Sequence, residues 1–306
     1  MDIQLKLQQE FSLKQTQVEN VIKLIDEGNT IPFIARYRKE MTGSLDDQLL
    51  RTLSERLAYL RNLEDKRTQV KNTITEQGNM TEELEQKLSL AETMTEIEDI
   101  YRPFRPKRRT RAIIAKEKGL EPLADLIWLQ IVPDSIENMA KDFIDTEKGV
   151  ETIDDAVSGA KDIIAERISD DADLRKMLRT ETIKNGYLTA KASDENIESV
   201  YEMYYDFKEP IKKVAGHRVL AINRGEKEDF LTVKITLDDE NALLQKLERN
   251  IIIKNSNTKE ILQEVIADSY KRLIAPSLER EIRNDMTEQA EENAIKIFRE
   301  NLKQLL

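Results

Sequence analysis

The chain has 306 residues, of which 39% are hydrophobic and 35% charged, with a formal net charge of −11 and no cysteine. This composition is typical of a globular helical protein with two subdomains, and it excludes disulfides, a thiolate nucleophile and cysteine-based zinc sites. Because we find neither a signal peptide nor an apolar run long enough to cross a membrane, we expect a cytoplasmic protein.

The N-terminal residues predict two helices joined by a tight turn. The first helix ends at Gly28, and its apolar positions are Leu13, Val18, Val21, Ile22 and Ile25. The dipeptide at 31–32, Ile-Pro, breaks the pattern, and a short helix follows over 33–40. This order is compatible with a helix-turn-helix-like unit.

One long helix is predicted near 45–77. Ser44 and Asp47 form a capping signal, and leucines then recur every three or four residues from Leu45 to Leu63. Gly78 ends the pattern. Because a helix of this length offers a surface along which others pack, we expect an elongated array of helices.

A basic segment, defined here as residues 102–118, interrupts this acidic chain. It contains eight Lys or Arg and one acid, which leaves a formal charge of about −18 for the other residues. Pro103 and Pro106 predict extended backbone at the residues before them, Arg102 and Arg105.

The basic segment has three interpretations. It binds nucleic-acid phosphates, it pairs with acids of the same chain, or it docks on an acidic protein. The candidate phosphate-binding residues are Arg105, Lys107, Arg108, Arg109 and Arg111. Tyr101 and Phe104 would add faces on which unpaired bases stack.

Most of the remaining sequence is also predicted to be helical. After shorter ones at 81–90 and 93–101, apolar spacing predicts them at 109–118, 121–131, 135–145, 150–168, 174–185 and 195–206. The acids Asp170, Asp171 and Asp173 precede one of these helices, so we interpret them as capping residues rather than a cation site.

The last hundred residues predict one β-hairpin and two final helices. Alternating residues at 218–222 and 230–237 flank a turn-like stretch, which indicates a small hairpin near 218–237. The final helix keeps its apolar spacing up to Leu306 without a capping residue, so we expect the natural chain to continue. The predicted fold class is therefore mainly α.

We interpret the other candidate residues as structural. Arg36, Arg38 and Lys39 are followed by acids that weaken any attraction to phosphate. The aromatic residues Tyr201, Tyr204, Tyr205 and Phe207 suit a core better than a stacking platform. His217 is the only histidine, and no nucleophile-elbow or phosphate-loop motif accompanies it. A hydrolase centred on it is the weakest hypothesis.

Four segments resemble the Tex-like family of bacterial transcription accessory proteins. They are IPFIARYRKEMTGSLDD at 31–47, IYRPFRPKRRTRAIIAKEKGLEPLA at 100–124, YYDFKEPIKKVAGHRVLAINRGEKEDFLTV at 204–233 and SYKRLIAPSLEREIRNDMTEQAEENAIKIF at 269–298. The resemblance implies a helix-turn-helix unit at the N-terminus and kinship with a eukaryotic transcription elongation factor. In the family, an RNase-H-like domain, a helix-hairpin-helix region and an RNA-binding OB-fold follow the part seen in this sequence.

The resemblance and the charge pattern together lead to a functional expectation. We expect a helical domain over 1–200 and a second region over 201–306 that leads into the RNase-H-like domain. The expected function is a non-enzymatic helical module, without a cofactor, that supports binding of single-stranded RNA or DNA in transcription. The alternative is a scaffold that docks on the transcription machinery without touching nucleic acid.

Overall fold

The mainly α class is confirmed by the computed structural model, which describes residues 2–194 and 196–305. Backbone contacts divide the chain into two compact units, Met1–Arg105 and Pro106–Leu306. The boundary lies inside the basic segment. Position 200, where we expected a domain boundary, lies within the second unit, between strands of one sheet.

The first unit is built around the long helix that the leucine spacing predicts. Its helices are α1 (Ile3–Phe11), α2 (Gln15–Asp26), α3 (Ile31–Tyr37), α4 (Lys39–Thr42), α5 (Asp47–Glu76), α6 (Glu82–Leu90) and α7 (Met94–Tyr101). Helix α5 contacts α1, α2, α3, α6 and α7, and its buried stripe includes Leu53, Leu57 and Leu60. Its cap is Asp46 rather than Ser44, because the Asp46 carboxylate accepts from the Leu49 N–H at 2.8 Å.

The second unit contains the other helices, all three strands and a π-helical segment, Ser269–Ile274. Its helices are α8 (Arg111–Glu117), α9 (Glu121–Leu129), α10 (Ile136–Ala140), α11 (Ile153–Asp170), α12 (Ala172–Asn185), α13 (Gly216–Lys227), α14 (Glu240–Ile251), α15 (Lys259–Asp268) and α16 (Ala275–Leu305). Helix α11 contacts α8, α9, α10, α15 and the π-helical segment, so it forms the centre of the larger core. Position 306 lies outside the described residues.

The sheet differs from the predicted hairpin. Its strands are β1 (Gly186–Ala192), β2 (Asp206–Pro210) and β3 (Leu231–Leu237), antiparallel and in the order β2-β1-β3. The predicted strand at 230–237 is confirmed as β3, but its partner is β1, with Thr189 opposite Lys234.

The predicted strand at 218–222 is wrong because these residues belong to helix α13. Val219 and Ile222 are buried three residues apart on one helical face. Gly225 continues that face, and a Cβ added there would lie 2.6 Å from Leu231 Cδ1. The apolar residues therefore follow the helical period as well as the strand period, and close packing against β3 selects the helix.

The predicted helix at 195–206 is also wrong. Position 195 lies outside the described residues, and the following stretch contains only a short 3₁₀ turn, Glu202–Tyr204, before β2 begins. The core role expected for the tyrosines is confirmed for Tyr201 and Tyr204, which are 5% and 7% exposed in a cluster against the sheet and α13.

Candidate nucleic-acid interface

The basic segment begins with a 3₁₀ turn, continues as a loop over 105–110 and ends in helix α8. Arg102 begins the 3₁₀ turn and is helical, so the extended geometry predicted there is wrong. Arg105, which precedes Pro106, is extended as predicted (φ −67°, ψ 142°). Helix α8 then begins at Arg111, where the Thr110 hydroxyl accepts from the Ile113 N–H at 3.1 Å. This cap ends the loop.

Arg105, the last residue of the first unit, is held by its own unit. Its guanidinium forms an ion pair with Glu98 and lies over the Tyr101 ring, 5.5 Å from the centroid. Lys66 also pairs with Glu98, at 2.7 Å. Arg105 and one face of Tyr101 are thus engaged with each other. The Phe104 carbonyl accepts from the Gln77 side chain at 3.1 Å.

Lys107 anchors the basic segment to helix α11 in the second unit. Its ammonium group pairs with Asp170 and, at 3.3 Å, with Glu166, and its side chain is 22% exposed. Because Glu166 and Asp170 are four residues apart on α11, their carboxylates lie on one helical face. The i, i+4 spacing was the available signal for this acidic pair, which the sequence analysis did not recognise.

Three arginines have exposed side chains: Arg108 and Arg109, just before α8, and Arg111, its first residue. Arg109 pairs with Glu117 at 2.8 Å but remains 70% exposed. Arg108 and Arg111 are exposed, and neither forms an ion pair within residues 2–194 and 196–305. Arg111 still acts on Asp162: burial raises the pKa of that carboxyl, and the charges of Arg272 and Arg111 oppose the rise. In the structure, Lys107 is therefore held by ion pairs to α11, whereas the guanidinium groups of these three arginines are exposed to solvent.

The N-terminal cations lie on and beside helix α3. Helices α2 and α3 are joined by the four residues 27–30, and the Asn29 amide closes the turn by donating to the Leu24 carbonyl at 2.8 Å. Arg38 lies over the Phe33 ring, 5.3 Å from its centroid. Arg36 and Lys39 are exposed. The order helix, short turn, helix is present, but α3 already begins at Ile31, where we expected a break, and it ends at Tyr37 rather than at 40.

The remaining candidates take structural or surface positions. Asp171 caps α12 by accepting from the Leu174 N–H at 2.8 Å, which confirms the capping interpretation for that residue. Asp170 instead pairs with Lys107. His217 is exposed in the first turn of α13. Within the described parts of the chain there is no group of His, Cys, Asp or Glu arranged to hold a metal ion, and no helix suited to span a bilayer.

Two family models match the chain. The model described as Tex-like protein N-terminal domain matches residues 1–75, and the model described as Tex central region-like matches residues 134–298. The second match alone covers more than half of the chain. The chain belongs to the Tex family. The two Tex matches leave out residues 76–133, which include the whole basic segment.

Curated Tex relatives match almost the whole chain. The protein YdcI of Bacillus subtilis is 49% identical over 308 residues, covering 98% of this chain, and the transcriptional accessory protein Tex of Neisseria gonorrhoeae is 37% identical over 313 residues, covering all of it. The human S1 RNA-binding domain-containing protein 1 is 31% identical over 302 residues, covering 94%. The chain spans 42%, 41% and 30% of these three relatives, respectively.

Proposed function

We propose that this Tex-family chain is a non-catalytic helical module of a cytoplasmic transcription accessory protein and that it contacts single-stranded RNA or DNA through the start of α8. The names of two relatives, one a transcriptional accessory protein and one an S1 RNA-binding domain protein, support a role close to nucleic acid. The main binding activity belongs, in this proposal, to the rest of the full-length protein.

The observation that carries the proposal is the exposure of Arg108, Arg109 and Arg111 beside an anchored Lys107. A guanidinium grips a phosphate through two parallel hydrogen bonds, provided that no acid already occupies it. Two of the three arginines have no ion-pair partner within the described chain. The ion pairs of Lys107 hold the segment on α11, so less entropy is lost when a strand binds.

The alternative is docking of the same arginines on an acidic surface of the transcription machinery. An acidic protein and a phosphate backbone both attract guanidinium groups, so exposure alone does not distinguish them. The salt dependence of nucleic-acid binding does, because phosphate contacts release condensed counterions. The helix-turn-helix-like unit, with Arg36 and Lys39 exposed, is a second candidate contact within the same proposal.

The test is a fluorescence-anisotropy titration of the chain with single-stranded RNA and DNA at several salt concentrations. Log affinity should fall with log salt by about 0.7 for each phosphate neutralised, so Arg108→Glu with Arg111→Glu should flatten the slope by about 1.4. Glutamate at position 111 lies in the first turn of α8, where it suits the helix dipole, and position 108 is exposed before the helix, so the double variant should fold.

Two other double variants make the result specific. Arg36→Glu with Lys39→Glu tests the N-terminal cations, and Lys254→Glu with Lys259→Glu makes the same change of net charge at two exposed lysines elsewhere. The proposal predicts the largest loss for the α8 variant. Equal losses for all three variants, or no binding by the wild type at about 50 mM salt, would reject direct contact and favour docking on protein.

A further inference from the structure

The π-helical segment between α15 and α16 lines a cavity of about 460 Å³. The other walls come from the end of β3, the start of α14 and residues of α12 and α16. The Ser269 hydroxyl ties the segment to α11 by donating to the Ala165 carbonyl at 2.7 Å. A π-helical turn is an uncommon conformation that recurs at functional sites, which directs attention to this cavity.

Two side chains of the cavity wall, although largely buried, carry hydroxyl groups that are not fully enclosed. Tyr270 is 5% exposed and Thr182 is 6% exposed. Neither hydroxyl has a hydrogen-bond partner among the residues that the structure describes. Each hydroxyl can therefore donate to or accept from a polar group of a ligand bound in the cavity.

The charges around the cavity favour a cation over an anion. Glu240, Glu279 and Lys271 all line it, so it has one more carboxylate than ammonium group. One oxygen of Glu279 already accepts from the Ile235 N–H at 3.0 Å. Burial, with the Glu240 charge, raises the pKa of Tyr270 to about 12, so the phenol stays neutral at pH 7 and adds no negative charge of its own.

The rest of the lining is apolar and suits a short hydrocarbon stem. Ile235, Leu237 and Leu278 contribute this surface. An alkylammonium cation combines a positive charge with a hydrocarbon stem, and these two features match the charged and apolar parts of the lining. Its ammonium group donates up to three hydrogen bonds, which matches a carboxylate and two hydroxyl oxygens, and its stem buries apolar surface.

We propose that this cavity is a binding site for a small alkylammonium cation, held by the Glu240 carboxylate and the Tyr270 and Thr182 hydroxyls. No nucleic acid is involved, so the site is independent of the proposed function at α8. Both sites lie in the second unit, and each has its own test.

The test is a titration of the 306-residue chain with butylammonium chloride at pH 7, followed by the backbone amide NMR signals of the π-helical segment. We expect saturable shifts at Tyr270 and Lys271 with a Kd of about 1 mM, as suits a ligand of five heavy atoms. Butyrate and butanol also contain four carbon atoms, and they carry a negative charge and no charge, respectively. They should bind at least about tenfold more weakly.

Variants identify the groups that hold the cation. Glu240→Gln should weaken butylammonium binding about tenfold or more, and Tyr270→Phe or Thr182→Val about fivefold each. Glu260→Gln removes an exposed carboxylate of α15 that does not line the cavity, and it should leave the affinity unchanged. Circular dichroism checks that each variant folds.

Three results would overturn the proposal. The first is the absence of shifts at the π-helical segment up to about 50 mM butylammonium. The second is equal binding of butyrate or butanol, which would remove the charge argument. The third is equal weakening by Glu240→Gln and Glu260→Gln, which would indicate a general electrostatic effect.

Discussion

At the residue scale, the availability of a basic side chain depends on the acids that the fold brings beside it. Lys107 and Arg108 are neighbours in the sequence, yet Lys107 pairs with two carboxylates of α11 and Arg108 is exposed. A count of positive charges along the chain treats the two residues as equal. Only the contacts show that Lys107 anchors the segment and that Arg108 is available to a ligand.

The same principle applies to a buried charge in the second unit. The Arg175 side chain is fully buried, and its guanidinium lies 2.5 Å from Glu281, whose other oxygen accepts from Arg179 at 2.8 Å. Burial alone would raise the pKa of Glu281, but the hydrogen bond and charge of Arg179 and the charge of Arg175 lower it overall. The ionised carboxylate therefore stabilises the folded state.

We predict that Glu281→Gln destabilises the protein by about 1–3 kcal/mol at pH 7, because it removes a charge that two guanidinium groups contact. Since the folded-state pKa is lowered, this contribution is complete above the unfolded pKa and is lost as the pH falls through the folded pKa. Urea unfolding from about pH 7 to pH 3 measures it. The difference in free energy of unfolding between wild type and variant should decrease below about pH 4.5.

A matched variant checks this interpretation. Glu260→Gln, at an exposed position of α15, should change the free energy of unfolding by less than about 0.5 kcal/mol at any pH in this range. A gap for Glu281→Gln that stays constant down to pH 3 would contradict the assignment of the acid dependence to this carboxylate.

At the scale of elements, helices with a regular apolar stripe and a local cap were predictable. The leucine spacing predicts α5, whose observed bounds Asp47–Glu76 lie within two residues of the prediction. Strand β2 was missed because it has only five residues and no fully buried side chain. Strand β1 is as long as β3, but it has one β-branched residue where β3 has four. Their stability comes from pairing with residues distant in sequence.

One buried glutamine connects two loops of the second unit. Gln130 ends α9 in the left-handed conformation (φ 67°) and is 4% exposed. Its side chain donates to the Ile251 carbonyl at 2.8 Å and accepts from the Ile253 N–H at 2.9 Å. The connection between α14 and α15 is therefore held by the end of α9.

We predict that Gln130→Ala destabilises the second unit by about 2–4 kcal/mol, because two backbone groups lose their partner. Gln130→Gly loses the same bonds but relieves the left-handed backbone, so it should be about 1 kcal/mol more stable than the alanine variant. Thermal and urea unfolding measure both values. Wild-type stability in the alanine variant would show that these hydrogen bonds contribute nothing.

At the scale of the whole molecule, the chain forms two compact units, each with its own buried apolar residues. Leu53 on α5 and Ile164 on α11 are both fully buried, one in each unit. A large-to-small change at such a position removes apolar contacts and leaves a cavity. The effect should be concentrated in the unit that contains the substitution.

We predict that Leu53→Ala and Ile164→Ala each destabilise their own unit by about 2–5 kcal/mol. Hydrogen exchange followed by mass spectrometry should show faster exchange over 1–105 for the first variant and over 106–306 for the second. Each variant is the control for the other. Uniform acceleration along the chain in both variants would instead indicate a single cooperative unit.

The sequence by itself determined the features that depend on neighbouring residues. Composition and apolar spacing indicate the mainly α class, short-range signals locate most helix ends, and the basic segment is visible as a charge run. Of the four segments that resemble the Tex-like family, those at 31–47, 204–233 and 269–298 lie within the family matches, and the one at 100–124 lies between them. Helical contacts and caps join residues three or four apart, so this information is local.

Only the tertiary structure decided which distant groups meet. The Lys107–Asp170 pair joins residues 63 apart, and the Thr189 hydroxyl on β1 donates to the Lys234 carbonyl on β3, 45 residues later. The cavity beside Tyr270 likewise combines four helices or strands with the π-helical segment. Such contacts depend on how whole elements pack, and no local periodicity encodes them.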